Sequence, residues 1–525
     1  MISIQRIKRF LPIALILAGV LLRFYRLGLI PYGLNNDEAS IGYDAFALAT
    51  YGIDRNGYPW PVYPITWGSG GGGPMVVYLS VLTEKLIGHS IFSLRLPSAI
   101  FGSIALPLFY LLLKRAFDRP AAVAGLALLA FNPWHLLMSR FTLDCNTIAF
   151  WLILALLLFV YGADSSKTGY FIACAVVFGL CLYVYGASTI VIPVFLLLVA
   201  LYAVKHGMLR FRQLIFSICA FLITILPLIV FYAINFLDLP AIVTPVFSIP
   251  RFITSRSVFY GFGPGLLNGM KESLLYLLRF LSIGPVDTEV ICNQVPGFGV
   301  FYRFTFPLTI LGLIASVRKI KKKPDLLCAG TLILFTCIFI FSLFLRLEIS
   351  RVSLFLVPVL ILQAIAMQEI LNHAGRTVYL LALLILFCGM ILFARNYFGR
   401  RYATASAENF MPGYGEAVLY ADSLHRGDQT IYSTYRHLAA PFAVALYYTE
   451  TPVQDFIDTV EYRDEVSEAR IAIRFTHFVF GLPEDIHDER YRNDILILHE
   501  EDLNEFSAED YSITQFEKFL VAVRK

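Results

Sequence analysis

Apolar residues in this chain form long runs rather than the short periodic stripes of a soluble domain. A helix needs roughly 20 apolar residues to cross a bilayer, and about eleven runs approach that length. They lie near residues 10–28, 96–114, 120–138, 146–163, 169–186, 188–204, 213–235, 303–317, 326–345, 352–370 and 377–394. The polar positions between them are not evenly mixed. Arg6, Lys8 and Arg9 precede the first run, and Lys114, Arg115 and Arg119 separate the second from the third. Lys205, Arg210 and Arg212 follow the sixth, and RKIKKK (318–323) follows the eighth. Short loops rich in Lys and Arg stay in the cytoplasm. With eleven crossings all four clusters share one side, so the N-terminus is expected inside and the C-terminus outside.

After Ala394 the pattern changes. Charged residues rise, TIYSTY, DILILHE and YSITQFEKFLVAV read as strands, and LAAPFAVALYY reads as a helix. The expected fold class is a polytopic α-helical membrane protein of about 11 spans with a small extracytoplasmic α/β domain at its C-terminus. The expected division is a transmembrane domain over 1–394, with outward loops 29–95 and 236–302, and a soluble domain over 395–525.

Composition agrees. Of 525 residues 58% are hydrophobic and 15% charged, where soluble proteins carry about 25% charged residues. An ordinary soluble enzyme is excluded. The net charge of +4 follows from the basic loops and gives no ground for a nucleic-acid partner. Most of the eight Cys sit inside apolar runs without metal-ligand spacing and read as small apolar side chains. MISIQRIKRF is basic like a signal peptide start, but no small-residue cleavage site follows the apolar run, so a retained first span is expected.

Against this apolar background the stretch GLNNDEASIGYDAF (33–46) stands out, because Asp37 and Glu38 lie together at the outer mouth of the first span. Asn36 or Asp37 can cap a helix over EASIGYDAFALATYG. A cap accounts for one residue and not for two carboxylates at a membrane surface, where charge is costly and tends to be functional. The functional reading is a general base that takes a proton from an acceptor hydroxyl, its neighbour orienting it or contacting a cation. In NPWHLLMSRFTLDCN (132–146), Arg140 and Asp144 have the spacing of a helical ion pair, or Asp144 positions a reacting group. Trp134 and His135 read as an interfacial belt.

Arg346 and Arg351 flank Glu348 in RLEISR, on the predicted outer side. A phosphate matches guanidinium geometry; pairing with Glu348 or lipid headgroups is the alternative. Arg251, Arg256 and Lys271 extend the same electropositive zone. The Gly-rich WGSGGGGPMVVYLS (67–80) is either a mobile acceptor loop or a turn between interfacial helices. Tyr58, Trp60, Tyr63, Trp67 and Tyr260 either stack on a sugar or lie at the interface. A divalent cation is possible, but the sequence shows no His cluster and no DxD in an outward loop.

Taken in order, NNDEASIGYDAFAL, SLRLPSAIFGSIALPLFYLLLKRAF (93–117), FNPWHLLMSRFTLDCN (131–146) and RVSLFLVPVL (351–360) resemble the GT-C membrane glycosyltransferases. The branch is that of protein O-mannosyltransferases and bacterial lipid A aminoarabinose transferases. The resemblance covers roughly residues 1–400 and is strongest over 20–150. It implies a polyprenyl-phosphate sugar donor and an inverting transfer to a glycan, lipid or protein acceptor on the extracytoplasmic side of the cell membrane. It also implies Asp37 as catalytic base, Glu38 as its support and Asp144 as a second acidic position. Arg351 is implied as a donor-phosphate contact; Arg346 and Arg256 are further candidates for that phosphate from the residues themselves, and Arg140 and Tyr43 are candidate supporting residues. No β-trefoil insertion separates the spans, which argues against a protein acceptor of the eukaryotic type. Other readings are a transporter or flippase of lipid-linked saccharides, a ligase or polymerase of lipid-linked glycans, and a scaffold whose soluble tail binds a partner. The flippase is disfavoured because the charges gather at the outer rim and no internal repeat is evident.

Overall fold

The computed structural model describes residues 4–525 except 71–72, 255–258, 262, 264, 283–290, 486–487 and 506–509. All eleven apolar runs are helical. Six of the described helices are long and apolar enough to cross a membrane: Ile91–Ala116, Asp144–Ser165 with its opening turn, Ser188–Lys205, Phe211–Phe236, Ser350–His373 with its opening turn, and Gly375–Tyr397. Phe10–Phe24, Arg119–Ala130, Thr168–Val184 and Leu326–Ser342 are shorter apolar helices. The helix from the eighth run, Phe306–Lys322, ends in its basic cluster and falls in neither group. The third run is broken. The Asn132 side chain accepts the His135 N–H at 2.8 Å and Pro133 opens a new short helix, Pro133–Met138.

The chain divides into two compact units. The first comprises 1–27, 97–227 and 257–402. Leu356–His373 lies at its centre, packed against Arg119–Ala130 and Phe306–Lys322. Gly312 permits that approach, since a Cβ there would stand 2.0 Å from the Leu362 carbonyl oxygen. The buried Gln363 amide donates to the Thr305 and Thr309 hydroxyls at 3.2 and 3.1 Å, a polar link of the kind that joins helices in an apolar medium. Helices 211–236 and 375–397 are predominantly apolar and largely exposed, as lipid-facing helices must be.

The second unit comprises 28–96, 228–256 and 403–525. Two short strands, β1 (Ile242–Val243) and β2 (Ser248–Ile249), pair antiparallel. Among the described residues the main sheet has seven strands: β3 (Ile431–Ser433), β4 (Glu461–Tyr462), β5 (Ala472–Phe475), β6 (Phe478–Phe480), β7 (Ile495–His499), β8 (Tyr511–Phe516) and β9 (Phe519–Arg524). Their order is β4-β5-β6-β3-β7-β9-β8, with β3 parallel to both neighbours and the other pairs antiparallel. The stretch YSITQFEKFLVAV is a hairpin rather than one strand. It folds back at Glu517–Lys518, with Glu517 at φ 52°, where a Gly or Asn would have marked the turn.

Helix Asn36–Tyr51 begins where the Asn35 side chain accepts the Asp37 N–H at 3.0 Å and ends at Gly52, φ 75°. Every residue from Glu38 to Leu48 is buried. Helix Pro441–Thr449 lies across it, and one apolar core runs from Leu34 through Leu94 to the sheet residues Ile431, Ile497 and Val521. The predicted outward loop and the predicted soluble domain therefore share one core. Gly42 is the contact point. A Cβ there would meet the Tyr447 ring at 2.5 Å.

Candidate functional site

The helix start separates the roles of the two adjacent carboxylates. Glu38 is fully buried, and Arg95 grips it with two bonds, Nε to Oε1 at 2.8 Å and Nη2 to Oε2 at 2.9 Å. Arg95 also donates to the carbonyls of Pro31 and Gly33, both at 2.8 Å, fixing the chain that leads into the helix. Asp37, one residue earlier, is exposed. Its Oδ1 accepts the Trp67 indole N–H at 3.1 Å. Trp67 is itself set by paired backbone bonds with Gly70 and by an edge contact on Phe442. The Gly-rich stretch is thus ordered where it is described: Ser69 N–H bonds the Glu468 carbonyl, and Gly68 lies against Ser467. Gly71 and Gly72 lie outside the described residues.

About two turns further on, Asp44 is buried against Arg55 Nε at 2.6 Å and the Thr66 hydroxyl at 2.8 Å. Tyr43 is also buried and donates to the Thr451 carbonyl at 2.9 Å, which makes it a link between helix and domain. Asp54 holds the following turn together, its Oδ1 accepting the Asn56 and Tyr58 N–H groups, each at 2.9 Å. Its Oδ2 has no hydrogen-bond partner among the described residues. Burial, reinforced by the charge of Asp44, pushes the Asp54 carboxyl up to about 7, against the pull of those N–H groups and of Arg55. An acid raised in the folded state loses stability as pH climbs from its unfolded value towards its folded one, here from pH 3.8 to about 7. Asp54→Asn cannot titrate. Wild type should therefore lose stability relative to the variant by about 1.4 kcal/mol per pH unit at most between pH 5 and 7, the difference levelling near pH 8. Melting both proteins across that range checks it; a difference independent of pH would refute it.

In the first unit, Arg140 is buried just beyond the end of helix Pro133–Met138, and Asp144 opens a separate turn, Asp144–Thr147. The two are therefore not one turn apart on a helix. Arg140 donates to the carbonyls of Leu22, Arg23 and Tyr25 at 2.7–2.9 Å and to the Tyr397 hydroxyl at 3.1 Å. It locks the end of the first helix. Trp134 and His135 are not an interfacial belt. Trp134 is buried edge-on to Phe280 and Phe301, and His135 Nδ1 lies 2.7 Å from Arg23 Nη2. Burial of a paired Arg explains why polar residues occupy this otherwise apolar segment.

Asp144 is half-buried and accepts the Cys145 N–H at 2.6 Å. Its turn packs against the turn Ser350–Phe355, which carries Arg351. Through this packing the structure brings the predicted acid and the predicted arginine into one neighbourhood. Arg351 is half-buried, 3.3 Å from Glu348 and bonded to the Arg346 carbonyl. Arg346 itself is exposed. Arg256 lies outside the described residues.

Residues far apart in sequence also meet. His437, His499 and Glu501 bring their ligand atoms within 4.8 Å of one another, a His cluster invisible in the sequence. Its chemistry does not favour a cation. His437 Nε2 already lies 3.1 Å from Glu501, and Arg436 stands 3.9 Å from the same carboxylate.

Residues 71–232 match the family model for dolichyl-phosphate-mannose-protein mannosyltransferases. No curated protein matches this sequence. Among solved structures, ArnT from Cupriavidus metallidurans, both in its apo state and bound to undecaprenyl phosphate, superposes with a TM-score of 0.59 at 14% identity, over 97% of this chain and 97% of that one. The apo oligosaccharyltransferase of Archaeoglobus fulgidus superposes with a TM-score of 0.53 at 16% identity, over 84% of this chain and 64% of that one. The chain is a multi-pass helical membrane protein with the fold of ArnT and of the oligosaccharyltransferase.

Proposed function

We propose that this protein is an integral-membrane glycosyltransferase that moves a sugar from a polyprenyl-phosphate donor to an acceptor hydroxyl, with inversion, on the extracytoplasmic face. The observation that carries the reading is the division of labour in the Asp-Glu pair. Glu38 is neutralised and fixed by Arg95, while Asp37 remains exposed at the head of a helix on a fold like that of ArnT. The undecaprenyl phosphate bound by that neighbour supports a lipid-linked donor. In the reaction, the Asp37 carboxylate takes the acceptor hydroxyl proton as the oxygen attacks the anomeric carbon. The carbon–oxygen bond to phosphate breaks, and the phosphate leaves with the electron pair. A phosphate leaving group needs no strong acid, so catalysis falls to the base and to electrostatic positioning. Glu38 acts as a positioning residue. Arg351, with Arg346 and Arg256, faces the donor phosphate in this reading, and Asp144 is the second acidic position.

Purified protein in detergent, given a panel of radiolabelled polyprenyl-phosphate monosaccharides with membrane extract as acceptor, should transfer label from one of them. Silence across the panel from folded protein overturns the reading. Arg351→Ala should raise the donor KM about tenfold or more, the loss expected for one charge-assisted contact. An unchanged donor KM removes Arg351 from the phosphate site.

A further inference from the structure

The second unit carries an exposed apolar hairpin made by β1 and β2. Helix Phe211–Phe236 ends at Phe236, which is 89% exposed, and the chain turns directly into the hairpin. Over 237–247 six large apolar side chains stand in the open: Leu237, Leu239, Ile242, Val243, Val246 and Phe247. Val246, at the tip, is 75% exposed. The stretch 236–250 holds one charge, Asp238, and Arg251 is paired with it. An isolated exposed side chain such as Val466, between Glu465 and Ser467, needs no explanation, whereas a contiguous apolar patch marks an interaction surface. The base of the hairpin is different in kind. The Ser248 carbonyl accepts the Val62 N–H at 2.8 Å, and the Ser248 hydroxyl donates to the Pro59 carbonyl at 2.9 Å. Ile249 packs with Ile65, Phe231 and Ile234 in a small core, over which Tyr63 stacks on Phe231 at 4.7 Å. The hairpin is thus held firmly at its base and presents its apolar tip. Lipid fits that tip for three reasons. The patch continues a helix that is itself apolar and largely exposed. At 1.5 Å per residue the 26 residues of that helix reach about 39 Å, beyond a hydrocarbon layer of about 30 Å, so the hairpin arrives at headgroup level. Its backbone is also satisfied internally. Thr244 N–H donates to the Phe247 carbonyl at 3.0 Å, the Thr244 hydroxyl accepts the Val246 and Phe247 N–H groups at 3.4 and 3.0 Å, and Pro240 and Pro245 have no N–H to satisfy. An apolar medium demands that closure, and an aqueous loop does not.

We propose that the hairpin dips into the lipid interface, with Val243, Val246 and Phe247 among the outermost acyl segments, and anchors the segment 59–67 that is bonded to its base. That segment ends at Trp67, whose indole bonds Asp37, so an anchored hairpin fixes the height of this carboxylate over the bilayer. The catalytic use rests on the transferase reading; the lipid contact does not. The test therefore needs no donor and no transfer. It uses the full chain with its three cysteines that are not buried, Cys219, Cys337 and Cys388, replaced by Ala. Val246→Cys is labelled with the fluorophore NBD in phosphatidylcholine vesicles, with and without bromine on the acyl chains. Ile223→Cys, 72% exposed within helix Phe211–Phe236, is the lipid reference, and Val466→Cys, 64% exposed, is the water reference. All three positions are exposed, so the substitutions leave no cavity, and melting curves that match the parent chain confirm the fold. The label at 246 should emit to the blue of the label at 466, and brominated lipid should quench it about twofold or more, since an interfacial anchor sits roughly 5–10 Å deep, at the boundary of headgroups and acyl chains. The label at 466 should be unquenched. Emission and quenching at 246 that match those at 466 would place the hairpin in water and overturn the proposal. A blue-shifted label that brominated lipid does not quench would also overturn it, because protein, a second copy of this chain or a partner, would then cover the tip instead of lipid.

Discussion

Asp37→Asn should abolish sugar transfer while leaving the protein folded. The substitution keeps size and shape, and the amide oxygen can still accept the Trp67 indole N–H now bonded to Oδ1 at 3.1 Å. Only the proton-accepting capacity and the charge are lost. General-base assistance contributes roughly 10²- to 10⁴-fold, so kcat should fall by that factor. The donor KM should stay near wild type, because the base acts on the acceptor hydroxyl. Because Asp37 is exposed, its replacement leaves no buried group unpaired, and yield and melting temperature should also stay near wild type. The comparison with Glu38 sharpens the test. Glu38 is sealed behind Arg95 and cannot reach a substrate hydroxyl, so Glu38→Gln should cost stability first and activity only through it. Near-wild-type turnover in Asp37→Asn would remove the base and, with it, the assignment of this helix start as the reacting end of the fold.

Much of the membrane part was legible because a lipid-exposed helix must be apolar along its whole length, and such runs need no tertiary knowledge to recognise. The breaks in those runs were harder. Asn132 and Pro133 begin a new helix inside what reads as one span, and the cue was local: a capping residue followed by Pro, then a His and an Arg that an apolar run has no other use for. At the Asp-Glu pair the sequence located the chemistry without saying which carboxylate is available. That depends on Arg95, which lies 57 residues from Glu38. Arg95 is the one charge in SLRLPSAIFG, a signal for a buried partner that residue spacing could not assign. The joining of the outward segment to the C-terminal domain was hidden for a related reason. Helix 36–51 is buried from Glu38 to Leu48, its two internal acids Glu38 and Asp44 each held by an arginine from a later segment and the rest mostly small or apolar, the mark of a helix covered on every side. The His437–His499–Glu501 cluster draws on distant segments, and nothing in one sequence pairs them.

Arg95→Leu should be among the most damaging substitutions available outside the reacting groups. Breaking a buried ion pair by removing one partner costs about 3–5 kcal/mol, because the remaining charge is left uncompensated in a poor solvent. Here the remaining charge is Glu38, fully buried, and the loss also frees the Pro31 and Gly33 carbonyls that Arg95 now satisfies. Those carbonyls lie in the chain that feeds the helix bearing Asp37, so activity and stability should fall together. The double variant Glu38→Leu, Arg95→Leu separates the causes. It removes both charges, and replacing a buried pair by apolar residues is often neutral or better. If the damage in Arg95→Leu comes from the stranded carboxylate, the double variant should melt at a higher temperature than Arg95→Leu while staying below wild type. The remaining shortfall is the cost of the two carbonyls, about 1–3 kcal/mol for each buried group left unpaired. If the double variant melts no higher than Arg95→Leu, the guanidinium acts on the backbone alone, and Glu38 holds nothing in place. The result bears on function as well. In the first case Glu38 is buried so that Arg95 can be anchored, and Arg95 is anchored so that the helix begins where Asp37 is exposed.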